Sequence, residues 1–217
     1  MICVSLDERY PVKRLKRLRN IDFAEIRMEK MGLSFEDISE IFSQPVRLIA
    51  TCRPGYSDDM ERKARLLAAV ESGARFVDIE VESDKGYKKE IVEAAEKNGC
   101  KTIISFHDFH GTPDNEVLRH IAALCVNEGA DIVKIACMVN SLNDSARLLG
   151  LLGIEGFRDR LVVVGMGKGG RITRVVAPFL GSLFTYASYM SDMHTAEGQI
   201  EKTKLEEIVG YLNEKIG

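Results

Sequence analysis

A (β/α)8 barrel of the TIM class, in the α/β group, is the fold this sequence predicts, and three observations predict it. Short apolar, β-rich runs alternate with longer helical segments about eight times. No composition break or linker interrupts the alternation, so residues 1–217 read as a single domain. Polar and ionisable residues collect at the C-terminal ends of the apolar runs, where barrels carry their active sites. A doubly wound open sheet is the alternative. Against it, the first strand lacks a Gly-x-Gly-x-x-Gly turn and the number of units suits closure.

Taken in order, the strands are expected at 2–6, 23–28, 46–52, 75–81, 101–107, 131–137, 161–166 and 182–187. Amphipathic helices are expected near 11–20, 34–43, 59–72, 87–98, 114–128, 141–152, 172–180 and 203–215. Asn98-Gly99 and Glu128-Gly129 read as helix stops, because glycine accepts the left-handed conformation that closes a helix. Ser34 with Asp37 reads as a capping box at a helix start. The chain is short for a barrel, so its loops are brief.

Composition narrows the function classes. Hydrophobic residues make up 45% and charged residues 29%, the balance of a globular protein, and the net charge of −3 gives no general attraction to nucleic acid or anionic membranes. Lys13, Arg14, Lys16, Arg17 and Arg19 form a basic run that reads as the solvated face of a helix. No apolar run is long enough to span a membrane, and Met1–Leu6 lacks the basic flank and apolar stretch of a signal peptide, so a cytoplasmic protein is expected. The five cysteines are odd in number, scattered, and never spaced Cys-x-x-Cys, which argues for reduced core residues and against a disulfide framework or zinc site.

The chemistry gathers around Asp131-Ile132-Val133-Lys134-Ile135-Ala136, a strand with apolar residues on both sides of a lysine. Alternation puts Lys134 with Ile132 and Ala136 on one face. An unpaired ammonium there costs several kcal/mol, and the usual relief is loss of the proton. A neutral, fixed amine attacks ketones and aldehydes to give an imine. The alternative is a lysine whose head reaches solvent or a carboxylate at the strand end.

Other strand ends carry Ser5, Glu25 with Arg27, Arg53, Asp78 with Glu80, and Ser105 with His107; the last gives Thr185-Tyr186-Ala187-Ser188. Singly, each reads as a solvated cap, an ion pair or a structural histidine. Together they ring one mouth with both signs of charge. His107 and His110 follow a strand, where successive side chains diverge, so no metal site is expected. Gly167-Lys168-Gly169-Gly170 ahead of a helix has the form of a phosphate cradle, and Arg174 one turn later makes an anion site, phosphate or carboxylate. Ser191 to Gln199 is a polar loop long enough for a lid.

At these residues the sequence resembles the type I 3-dehydroquinate dehydratases, in their compact archaeal-like form. The matching segments are Val4-Ser5-Leu6, Glu25-Ile26-Arg27, Thr51-Cys52-Arg53, Ser105 to Pro113, the Lys134 strand, Met166-Gly167-Lys168 with Thr173-Arg174, Gly181-Ser182, and Thr195 to Gln199. The resemblance implies dehydration of 3-dehydroquinate to 3-dehydroshikimate in the shikimate pathway of aromatic amino acid biosynthesis, without cofactor or metal. It implies that Lys134 forms a Schiff base with the substrate ketone and that His107 is the general acid and base. Arg174 would hold the substrate carboxylate; Ser5, Glu25, Arg27 and Arg53 would bind the hydroxyl-bearing ring; Thr195 and Gln199 would belong to a closing lid. A homodimer is also implied. The sequence departs from the family at Ser57, where a glutamate often orients the histidine, and at Thr195 and Glu197, where serine and proline are common. Two other functions fit the residues: a class I aldolase or transaldolase acting on a sugar phosphate, and a barrel that binds a metabolite without converting it.

Overall fold

Strand formation follows burial. The computed structural model describes residues 1–216, with strands β1 (Ile2–Leu6), β2 (Phe23–Arg27), β3 (Arg47–Thr51), β4 (Phe76–Glu80), β5 (Lys101–Asp108), β6 (Ile132–Met138), β7 (Leu161–Met166) and β8 (Thr185–Ser188). Helices follow them in alternation: α1 (Val12–Leu15), α2 (Phe35–Phe42), α3 (Asp59–Glu71), α4 (Lys85–Lys97), α5 (Asn115–Asn127), α6 (Leu142–Gly150), α7 (Arg171–Val176) and α8 (Lys202–Ile216). Every residue of β4 and β7 is buried; β7 is accordingly apolar on both faces, whereas β4 alternates Val77 and Ile79 with Asp78 and Glu80. The strands lie in one sheet in the order β7-β6-β5-β4-β3-β2-β1-β8, with no point at which the order reverses. That sequential order is the one expected of a (β/α)8 fold and excludes the doubly wound alternative.

Two compact units are distinguishable. The first comprises Ser5–Ser105 and Cys125–Ile132, and the second Met1–Val4, Phe106–Leu124 and the chain from Val133 onward. In the first unit β2, β3 and β4 are parallel neighbours, with Arg27 beside Thr51 and Thr51 beside Asp78, so these side chains share a face. In the second unit β6 and β7 pair in parallel, with Lys134 beside Val162.

The punctuation read from the sequence is present. Ser34 and Asp37 form the capping box of α2, and Gly99 and Gly129 close their helices at φ 65° and 96°. Two elements differ from expectation. The helix expected over 11–20 is the single turn α1, which ends at Lys16, and the chain turns again at Asn20 with φ 61°. Five cations in seven residues repel one another and only Leu15 of the helix is buried, so little holds a longer helix down. Lys16 is drawn to Asp37 and Glu40 of α2 instead, at 2.7 and 2.8 Å. The eighth strand starts at Thr185, not 182, because Ser182 is spent on a turn: its N–H bonds Ala177 O, and its hydroxyl accepts from Val163 N and donates to Phe184 O.

All five cysteines are buried, and none forms a disulfide. Burial pushes the thiols of Cys52, Cys100, Cys125 and Cys137 up to about 12. No described helix is long and apolar enough to cross a membrane.

Candidate active site

In the first unit, polar side chains at the strand ends form hydrogen-bonded groups, one around Glu25 and another around Arg53. Ser5 Oγ donates to Glu25, whose other oxygen accepts from Thr51 Oγ1 at 3.1 Å. Arg53, just beyond β3, grips Asp78 with both terminal nitrogens at 2.9 Å and reaches Glu80 at 2.5 Å. Ser105 Oγ donates to Asp78 at 2.6 Å and lies 3.0 Å from the same Arg53 nitrogen. Burial works against the charge on Arg53, but Asp78 and Glu80 outweigh it and hold the guanidinium well above its ordinary value. Arg27 bonds Glu29 at 2.7 Å through Nε, and again Glu25 and Glu29 overcome burial and raise it. The set offers charged donors and acceptors suited to a polyhydroxylated ring.

A residue not singled out from the sequence completes this set. Arg62 of α3 is 3% exposed and donates to Glu80 at 2.8 Å, to Asp59 at 2.6 Å and to the Cys52 carbonyl at 3.0 Å. Near Ser57, the two carboxylates that stand closest in sequence serve α3: Asp58 caps it through Glu61 N, and Asp59 pairs with Arg62.

Lys134, His107 and Arg174 lie in the second unit. Lys134 is 5% exposed, and its Nζ lies 4.6 Å from the centre of the Tyr186 ring on β8. Tyr186, named among strand-end residues but given no role, thereby caps the amine with an aromatic face. Its backbone carbonyl accepts from Arg174 Nη1 at 3.3 Å. Arg174 is 1% exposed, its Nε has no hydrogen-bond partner, and no carboxylate pairs with it among the described residues. Burial pushes this guanidinium down to about 10. Among the described residues its buried charge therefore has no acidic partner.

Arg174 owes its place to a tight fit of α7 on β7. A side chain on Gly170 would overlap the Gly165 carbonyl, and one on Gly165 would meet Gly170 Cα at 2.7 Å. Thr173 Oγ1 bridges the two, accepting from Gly165 N and donating to Gly170 O, both at 2.7 Å.

His107, half-buried near the end of β5, stacks on Phe109 at 6.0 Å with an angle of 13°. Asp108 turns the chain by accepting from the His110 and Gly111 amides. The loop is then tied to the end of β6 by Thr112 Oγ1 on Met138 O at 2.7 Å and by Asn140 Nδ2 on His110 O at 2.8 Å.

The loop expected to act as a lid is braced from within. Gln199, buried, accepts from Thr195 N at 2.7 Å and donates to Thr195 Oγ1 at 2.9 Å. Gly167 N donates to Glu197 O at 3.1 Å, and a side chain on Gly198, at φ 83°, would overlap the Gly167 carbonyl. An open cleft of about 420 Å3 is lined by Lys168, Arg171, His194 and residues 195–199. Two amides of the glycine-rich turn are not available to a phosphate: Gly167 N is held by Glu197, and Gly170 N bonds Gly167 O.

A family model for type I 3-dehydroquinase matches residues 2–216. The chain belongs to the type I 3-dehydroquinase family. It is 34% identical over 219 residues to the 3-dehydroquinate dehydratase of Methanocaldococcus jannaschii, covering 96% of this chain and 97% of the relative. The 3-dehydroquinate dehydratase structure from Aquifex aeolicus is similar at a TM-score of 0.80 and 29% identity, covering 99% of this chain and 98% of the other. The type I 3-dehydroquinate dehydratase from Clostridium difficile, solved with covalently modified comenic acid, is similar at a TM-score of 0.86 and 24% identity, over 99% of this chain and 92% of that one. Together with the sequential strand order, these likenesses establish the (β/α)8 fold class.

Proposed function

We propose that this member of the type I 3-dehydroquinases converts 3-dehydroquinate to 3-dehydroshikimate, a step of the shikimate pathway, through an imine on Lys134. The observation that carries the reading is Tyr186: its ring lies against the Lys134 amine and its carbonyl holds Arg174, the buried cation with no acid. A nucleophile and a carboxylate receptor thus share one anchoring residue. That pairing suits a small keto acid.

In its neutral form Lys134 attacks the ketone, and loss of water gives a protonated imine. The positive nitrogen acidifies the neighbouring C–H by accepting the electron pair that its loss leaves behind. His107, of a type that titrates near neutrality, takes that proton and returns one to the departing hydroxyl. Hydrolysis of the imine frees the product and the lysine. Arg174 binds the substrate carboxylate with a planar fork that matches both oxygens. Ser5, Glu25, Arg27 and Arg53 are assigned to the ring hydroxyls. Thr195 and Gln199 are assigned to the lid, where their mutual bonds are exchanged for bonds to substrate.

The chain is taken to act as one domain. In support, the unit boundaries fall within β1, β5, β6 and α5 rather than in linkers. A cytoplasmic homodimer needing no metal or cofactor completes the reading, and the five buried cysteines, none in a disulfide, suit a reducing compartment. Light scattering tests the dimer.

The deciding experiment is borohydride reduction with 3-dehydroquinate present, followed by peptide mass mapping. A stable adduct is expected on the peptide that contains Lys134. His107→Ala should slow turnover by about 10²–10⁴-fold while an adduct still accumulates. Full activity with no trapped adduct would overturn the mechanism.

A further inference from the structure

We propose that Arg62, on α3, is a positioning residue for Arg53, acting through Glu80 and the Cys52 carbonyl. This rests on the reading of Arg53 as a substrate-binding group.

Glu80 sits between two guanidiniums. One oxygen accepts from Arg53 at 2.5 Å and the other from Arg62 at 2.8 Å. With Arg62 in place, Glu80 can offer Arg53 only one oxygen, and the two-point grip of Arg53 stays on Asp78. Without Arg62, the second Glu80 oxygen loses its counter-charge in a site where the side chain is 11% exposed. Its nearest remedy is to swing onto Arg53 with both oxygens and pull that fork away from Asp78 and Ser105.

Arg62 acts on the backbone as well. Its Nε holds the carbonyl of Cys52, the residue directly before Arg53, at 3.0 Å. One guanidinium therefore fixes both the peptide from which Arg53 springs and the carboxylate that aims it. Arg62 is itself immobilised, by Asp59 one turn earlier and by the Tyr87 ring of α4, 5.3 Å from its centre to the guanidinium carbon. The start of α3 is thus coupled to a side chain at the strand end.

Steady-state kinetics with 3-dehydroquinate on four variants tests this, with Tm recorded for each. Arg62→Met should raise KM about ten-fold while kcat changes less than about three-fold. Arg62→Lys should recover part of the loss, since a single ammonium cannot serve Cys52 O and Glu80 as a fork does. Glu80→Gln should raise KM in the same direction, and Arg53→Lys by more than any of these. A merely structural role would lower Tm in Arg62→Met and leave KM untouched, and that result overturns the proposal. Should Arg62→Met fail to fold, Glu80→Gln decides: an unchanged KM overturns it equally. An unchanged KM in Arg53→Lys would sink the binding role of Arg53, and this inference with it. A raised KM in Arg53→Lys alone sinks only the inference about Arg62.

Discussion

Arg53, half-buried just beyond β3, and Arg174, buried on α7, stand one in each unit, and their surroundings are opposite. Arg53 meets Asp78, Glu80 and Ser105 and is held well above its ordinary value. Arg174 meets a single carbonyl, leaves Nε without a partner, and is pushed down to about 10. The first unit has settled its charges internally, so it presents a fixed pattern of donors and acceptors. The second unit keeps a cation without a carboxylate among the described residues, bonded to the carbonyl of the residue whose ring faces Lys134. On the proposed function, orientation belongs to the first arrangement and capture to the second, and the two should respond to mutation with opposite signs.

The largest effect is expected at the amine itself. Lys134→Ala should lower turnover more than about 10³-fold and abolish borohydride trapping, because no other group supplies the covalent step. Next comes the settled network. Arg53→Met takes the guanidinium from Asp78 and one of two from Glu80, and should destabilise the fold by about 3–5 kcal/mol, read as a fall in the denaturant midpoint. Gly198→Ala should cost about 1–3 kcal/mol within the lid loop, through its positive φ and the overlap with the Gly167 carbonyl, and protease nicking of residues 191–199 reports it. The smallest effect carries the reversed sign. Arg174→Met removes a buried cation that no acid repays, so stability should rise by about 1–3 kcal/mol and Tm by several degrees while KM for 3-dehydroquinate climbs. If Arg53→Met and Arg174→Met shift Tm in the same direction, the contrast between the units is wrong.

The fold was legible because short, largely buried strand runs alternate with helical segments, and α4 and α5 stop at Gly99 and Gly129, both at positive φ. Where sequence and structure part, the cause is local. At α1 a charge run overrode helical spacing, and before β8 an apolar stretch, Ser182-Leu183-Phe184, was spent on a turn rather than on regular pairing. Within the site, Lys134 stood out because a charge inside an apolar run is conspicuous, and Arg174 because it follows a glycine-rich turn. Arg62 and Tyr186 did not stand out. Arg62 has the spacing of an ordinary helix-surface pair with Asp59, and its significance lies in Glu80 and Cys52, contacts that exist only once α3 packs on the strands. Tyr186 acts through a ring face and a backbone carbonyl, neither of which leaves a mark in a string of letters. The form of the glycine-rich turn was right, but spacing cannot reveal that Glu197 already occupies the Gly167 amide.

The depth of the cysteines gives the protein a built-in reporter. Cys52 is 1% exposed with a thiol pushed up to about 12, so a soluble alkylating reagent finds neither access nor thiolate while the chain is closed. Modification must wait for an opening, and the rate at which Cys52 is labelled therefore clocks excursions of the segment just ahead of Arg53 without any introduced probe.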